Sequence, residues 1–186
     1  MKPYKIIMPI FSLVFYISSF GQKINSVGIG NNISYLNDWK NNPVVLFNPE
    51  ISYISHIKKN NFIRFSLDIL YGKRPIQSKI EGSILSRIIF SFNVAYEKKF
   101  NKFGIALGPT FRYRNEKKVL YRYGNPYPFE FVIDPDKSHF DFGAYSFITY
   151  DILKVRNNFL SIKGGYKFYN KGINPISTGI FYIKKL

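Results

Sequence analysis

The chain has 186 residues, a formal net charge of +16, 19% aromatic residues (15 Tyr and 19 Phe against 2 Met) and no cysteine; this fits one domain made of strands better than a helical bundle. The missing cysteine excludes a disulfide framework, a thiolate metal site, a cysteine nucleophile and a cysteine-based N-terminal lipid anchor. The basic residues come as short pairs (Lys58-Lys59, Lys98-Lys99, Lys117-Lys118, Lys184-Lys185) at expected strand ends, with no basic helix and no nucleic-acid motif, so nucleic acid is not an expected partner and anionic lipid head groups suit them better.

Residues 1–21 have the pattern of a signal peptide. Lys2 and Lys5 precede the apolar stretch Ile6 to Phe20, and Ser19-Phe20-Gly21 puts small residues at the two positions a signal peptidase reads, so cleavage is expected between Gly21 and Gln22. The stretch is shorter than the roughly 20 residues of a membrane-spanning helix, and Pro9 interrupts it. Removing it takes two lysines and no acid, which leaves residues 22–186 as a domain of charge about +14. No later apolar run is long enough for a helical span, so the exported chain is either soluble or a barrel.

Period-two alternation predicts about eight strands. The weaker ones are Val27 to Tyr35 and Phe47 to Ile57 at the start and Phe140 to Tyr150, Phe159 to Tyr169 and Ile176 to Leu186 at the end. The clear ones lie between. Phe62 to Tyr71 sets Ile63, Phe65, Leu67, Ile69 and Tyr71 against Arg64, Ser66, Asp68 and Leu70. Ile84 to Glu97 and Phe103 to Arg114 repeat the contrast, with Arg87, Asn93, Glu97, Gly104, Gly108, Arg112 and Arg114 on the polar side. In Phe140 to Tyr150 the pattern blurs, because Phe140 and Phe142 share one face while Tyr145 and Phe147 share the other.

Gathering Arg64, Asp68, Glu97, Arg112, Arg114, Lys163 and Lys167 with glycines on one face suits a narrow lumen packed with ion pairs, with the apolar face turned to lipid. Connections alternate in length as in bacterial barrels. Longer loops are expected at Asn37 to Val45, Gly72 to Ser83, Asn115 to Ser138 and Asn170 to Pro175, and short turns at Lys58 to Asn61, Lys98 to Lys102 and Asp151 to Asn158. Tyr35, Tyr71, Tyr96, Tyr113, Tyr150 and Tyr169 near strand ends suit interfacial girdles.

With its signal segment, its strand meander, the strand opening Gly104-Ile105-Ala106-Leu107-Gly108-Pro109 and the final strand Thr178 to Leu186, the chain resembles the small eight-stranded outer-membrane β-barrels, the OmpA/OmpX-like or porin-superfamily barrels of Bacteroidetes type. The resemblance covers residues 22–186 and implies an all-β, antiparallel, up-and-down transmembrane barrel, with outer-membrane lipid and lipopolysaccharide around it and the barrel-assembly machinery as its partner in biogenesis. Members usually end in an aromatic residue; here Leu186 ends the chain and Lys184 interrupts the alternation, while Ile180 and Tyr182 keep it.

No catalytic, cofactor or metal site is expected. Some such barrels modify lipid A with a His near a Ser and a carboxylate, but Ser138 and His139, ahead of Asp141, are adjacent in a strand and diverge, as do Ser55 and His56. Asp134, Asp136 and Asp141 make a poor calcium loop around Pro135 and fit turn chemistry. Gly28-Ile29-Gly30 opens a strand and no helix follows, which rules out a nucleotide loop. The expectation is a structural or surface-interaction protein whose loop 115–138, with Tyr121, Tyr123, Tyr127, Phe129 and Phe131, contacts an extracellular protein or glycan. A lipid A modifying enzyme and a secreted soluble barrel binding an apolar ligand are the alternatives.

Overall fold

A computed structural model describes the backbone of residues 25–38, 41–73, 84–122, 130–170 and 174–186, and the side chains of residues 25–35, 46–72, 87–116, 138–170 and 174–186. Eight strands follow in order: β1 Ser26–Asp38, β2 Asn41–Lys58, β3 Asn61–Lys73, β4 Ile84–Phe100, β5 Phe103–Arg122, β6 Glu130–Val155, β7 Asn158–Tyr169 and β8 Ile176–Lys185. Each pairs antiparallel with its chain neighbours, and β1 closes onto β8 from Ser26↔Lys185 to Tyr35↔Ile176, so the sheet is a closed up-and-down barrel without a free edge. All eight predicted strands are present. Among the described residues no helix is long and apolar enough to cross a membrane.

One end of the barrel carries the tight turns Lys58 to Asn61, Phe100 to Phe103 and Val155 to Asn158, together with the start of β1 and the end of β8; this is the turn end, and the opposite end is the loop end. In each tight turn one residue has positive φ: Lys59, Asn101 and Arg156. That backbone follows the right-handed twist of the strands it joins.

Several expected connections are shorter than the sequence indicates. Asn37 to Val45 is not an open loop, since Asp38 already faces Asn41 across the hairpin. Asp151 to Val155 belongs to β6, leaving Arg156-Asn157 as the turn, and Lys98 to Phe100 belongs to β4. The largest correction concerns 115–138. Residues up to Arg122 extend β5 and residues from Glu130 extend β6, paired to Arg122↔Glu130, so Asp134-Pro135-Asp136 is strand rather than turn. A bulge between Glu116 and Lys118 absorbs the irregularity, and Asp134 faces Lys118 across it. Residues 39–40, 74–83, 123–129 and 171–173 of the expected loops lie outside the described residues, as does the expected signal segment 1–21.

The blurred pattern of Phe140 to Tyr150 reflects no break in register. Phe140 and Phe142 face outward, while Tyr145 and Phe147 are buried in the lumen and replace polar residues there. Glycine provides clearance on the inner face: a Cβ on Gly104 would stand 2.8 Å from Glu97 Oε1, and one on Gly30 2.3 Å from the Phe181 ring.

Candidate functional site

Alternation sends every second residue inward, and the lumen is consequently a stack of ion pairs. Every acidic residue with a described side chain points into it and meets a cation. Nearest the turn end, Lys99 Nζ lies 2.8 Å from Asp151 Oδ2, and Ser161 donates to Oδ1 of the same carboxylate at 2.6 Å. Arg64 then donates through Nε and Nη2 to Glu97 Oε2 at 2.9 and 2.8 Å, and Thr149 donates to Oε1 at 3.1 Å. Lys163 contacts both oxygens of Glu50, which also accepts from Asn32 Nδ2 at 3.1 Å.

Towards the loop end, Lys167 donates to Asp68 Oδ2 at 2.5 Å and Asn93 to the same oxygen at 2.8 Å, while Thr110 donates to Asn93 Oδ1 at 2.7 Å. Arg112 holds Asp141 Oδ2 through Nε and Nη2 at 2.9 and 2.6 Å. At the mouth Arg87 and Arg114 share Glu116 Oε1, at 2.6 and 3.0 Å.

Aromatic rings fill the space between these layers. Lys163 Nζ stands 4.1 Å from the centroid of Phe181, and the guanidiniums of Arg64 and Arg112 lie 5.1 and 3.7 Å from those of Phe147 and Tyr169. The pairs are dry. The side chains of Arg64 and Glu97 are 1% and 0% exposed, so each charge depends on its partner in place of water.

The outer surface has the opposite composition. Ile29, Ile51, Leu107, Ile148, Phe168 and Ile180 are all exposed, and Leu107 is 64% so. Aromatic residues flank this belt at both ends: Tyr96, Phe103, Tyr150 and Tyr182 towards the turns, Tyr35, Tyr71, Phe140 and Tyr166 towards the loops. Of the girdle residues read from the sequence, Tyr169 does not belong: it is buried, its hydroxyl hydrogen-bonded with Thr110.

The arrangement offers no acyl-transfer chemistry at the two histidines. Asp141 is held by Arg112 and approached by Arg114 at 3.5 Å, while Ser138 and His139 point to opposite faces. His56 hydrogen-bonds with the Lys59 carbonyl in its own hairpin and packs on Phe62, with ring centroids 5.0 Å apart. Among the described residues no three His, Asp or Glu side chains converge on a point that could hold a metal. The side chains of Asp134, Asp136, Tyr121 and Phe131, and residues Tyr123, Tyr127 and Phe129 entirely, lie outside the described residues.

Sequence alternation located Arg64, Asp68, Glu97, Arg112, Arg114, Lys163 and Lys167 in the lumen. It missed Glu50 as the partner of Lys163, Glu116 as the partner of Arg87 and Arg114, and the Lys99–Asp151 pair. The available signal was parity: Glu50 stands two residues before Ser52 and four before Ile54 on the same inner face of β2.

No protein-family model matches the sequence, and no curated protein matches it either. Solved structures do. Neisserial surface protein A is 12% identical, with a TM-score of 0.53 over 87% of this chain and 97% of its own. Ail, the attachment invasion locus protein of Yersinia pestis, is 9% identical, with a TM-score of 0.58 over 89% of this chain and 99% of its own. The N-terminal β-barrel domain of Pseudomonas aeruginosa OprF is 10% identical, with a TM-score of 0.51 over 87% and 99%. The fold is therefore that of the small eight-stranded OmpA/OmpX-like barrels.

Proposed function

We propose that this chain is an outer-membrane protein exported by residues 1–21, with a structural or surface-contact role and no catalytic activity. One observation carries the proposal, the inversion of the usual partition: the outward face is an apolar belt between aromatic girdles, and the lumen is filled with paired charges. A soluble barrel with an apolar ligand inside needs the reverse arrangement. A general pore is disfavoured as well, because Tyr145, Phe147 and Phe181 fill the lumen between the ion pairs. Outer-membrane lipid and lipopolysaccharide are then the partners of the belt, and the barrel-assembly machinery the partner during biogenesis.

Surface contact is assigned to the hairpin of β5 and β6. Past the last pair of β5 with β4, Ile84↔Lys118, Val119 to Arg122 pair only with Glu130 to Ile133 of β6, so among the described residues the end of this hairpin extends beyond its neighbours and is available to an extracellular protein or glycan. That two of the fold neighbours are named as a surface protein and an attachment protein supports this role.

The test is fractionation of cells expressing the full chain, with boiled and unboiled outer-membrane extracts compared on a gel. A detergent-resistant band that shifts on boiling is the expected result; a soluble periplasmic protein with no shift overturns the proposal. Replacing residues 121–131 by a short Gly-Ser linker should keep the shift and abolish binding to whole-cell or matrix ligands. Unchanged binding removes the hairpin from the account.

A further inference from the structure

The six acids with described side chains are all consumed inside the barrel, and this leaves the turn end strongly basic. Lys58 and Lys59 occupy one turn, Lys102 and Arg156 the other two, and Lys98, Lys154 and Lys184 the strands leading to them; all are exposed. The described side chains include no exposed carboxylate at this end, where Asp151 is already held by Lys99 and Ser161. Two further features separate this rim from ordinary solvated strand ends.

First, Lys98 and Lys184 lie on the belt face itself. Lys98 alternates outward between Tyr96 and Phe100, with its Nζ 5.3 Å from the Phe100 centroid, and Lys184 stands between Tyr182 and Leu186. Such side chains bury their stems in apolar surroundings and lift the ammonium to the polar boundary. Second, Lys59 and Arg156 hold positive φ, a backbone conformation that favours glycine or asparagine, yet both positions carry a cation.

Resting on the membrane reading above, we propose that the turn-end rim is a docking ring for anionic phospholipid head groups of the leaflet it adjoins. The continuity of the cations with the aromatic girdle fixes their depth at the lipid phosphates, which favours lipid over a soluble acidic partner. Each cation at an anionic surface gives roughly a fivefold preference where one head group sits against it.

The test uses the full mature chain in phosphatidylcholine vesicles carrying phosphatidylglycerol, with spin-labelled versions of the two lipids reporting which is enriched at the protein surface. Wild type should enrich phosphatidylglycerol about fivefold over phosphatidylcholine. The variant K58Q/K59Q/K98Q/K102Q/K154Q/R156Q/K184Q should fall towards parity, as should wild type in about 1 M salt, where screening shortens to roughly 3 Å. A heat-modifiable band in both proteins establishes insertion independently. Insertion with no preference, or with the same preference in the variant, overturns the docking ring alone, whereas failure to insert overturns the membrane reading and the ring with it. Parity in vesicles together with lysine-dependent retention of soluble polyglutamate overturns the lipid assignment in favour of a soluble acidic partner.

Discussion

Substituting Glu97 by Gln tests whether the lumen is dry. The change preserves shape and removes only the charge that Arg64 meets through two hydrogen bonds at 2.8 and 2.9 Å, in a pair exposed by 1% and 0%. A buried pair broken from one side leaves an uncompensated charge, at a cost of about 3–5 kcal/mol, whereas an exposed pair contributes about 0–1 kcal/mol. Replacing both members with apolar residues of similar size, R64M/E97L, removes the orphan charge and is expected to cost much less than the single change. The assay is equilibrium urea unfolding of the barrel in phospholipid vesicles, followed by far-ultraviolet circular dichroism and by gel mobility without boiling. A loss below about 1 kcal/mol for E97Q, or a double variant as unstable as the single, would refute a packed lumen and point to a hydrated one.

Four more outcomes follow from named positions. Leu107→Arg, at the middle of the belt, should cost about 2–4 kcal/mol in vesicle-unfolding experiments, where an exposed site on a soluble protein would lose almost nothing. Gly30→Val places a Cβ 2.3 Å from Phe181 and should lower stability by about 1–3 kcal/mol in the same assay. Gly164→Ala meets nothing within 4 Å and should be neutral or stabilising by up to about 1 kcal/mol. Planar-bilayer recordings of the wild type should show no steady open conductance; a persistent ohmic pore would contradict the filling of the lumen by Tyr145, Phe147 and Phe181.

Where the inner face is polar and the outer face apolar, as in β3, β4 and most of β5, strand identity and orientation were legible from period two alone, and Arg64, Asp68, Glu97 and Arg112 were placed correctly. In β6 the rule weakened because Tyr145 and Phe147 are luminal rings beneath Lys163 and Lys167, and apolar residues inside cannot be told from apolar residues outside by composition. Partner identity was illegible for a different reason. Glu50 and Lys163 are 113 positions apart and meet only because the barrel closes, a fact of shear and register rather than of local pattern. The stretch 115–138 read as a loop because Pro135, Asp134 and Asp136 are turn formers, whereas a bulge beside Lys117 lets the ladder continue past them. Asp141, grouped with those acids in sequence, instead neutralises Arg112.

The most direct test of the inverted partition exploits the absence of cysteine. Single cysteines at positions 105, 106 and 107 of β5 and 180, 181 and 182 of β8, spin-labelled in vesicle-inserted protein, would be probed with oxygen, which concentrates in lipid, and with a water-soluble nickel chelate. Labels at 105, 107, 180 and 182 should respond to oxygen and not to nickel, and labels at 106 and 181 to neither. Nickel access at 105, 107, 180 and 182 would place the apolar belt in water and contradict the account.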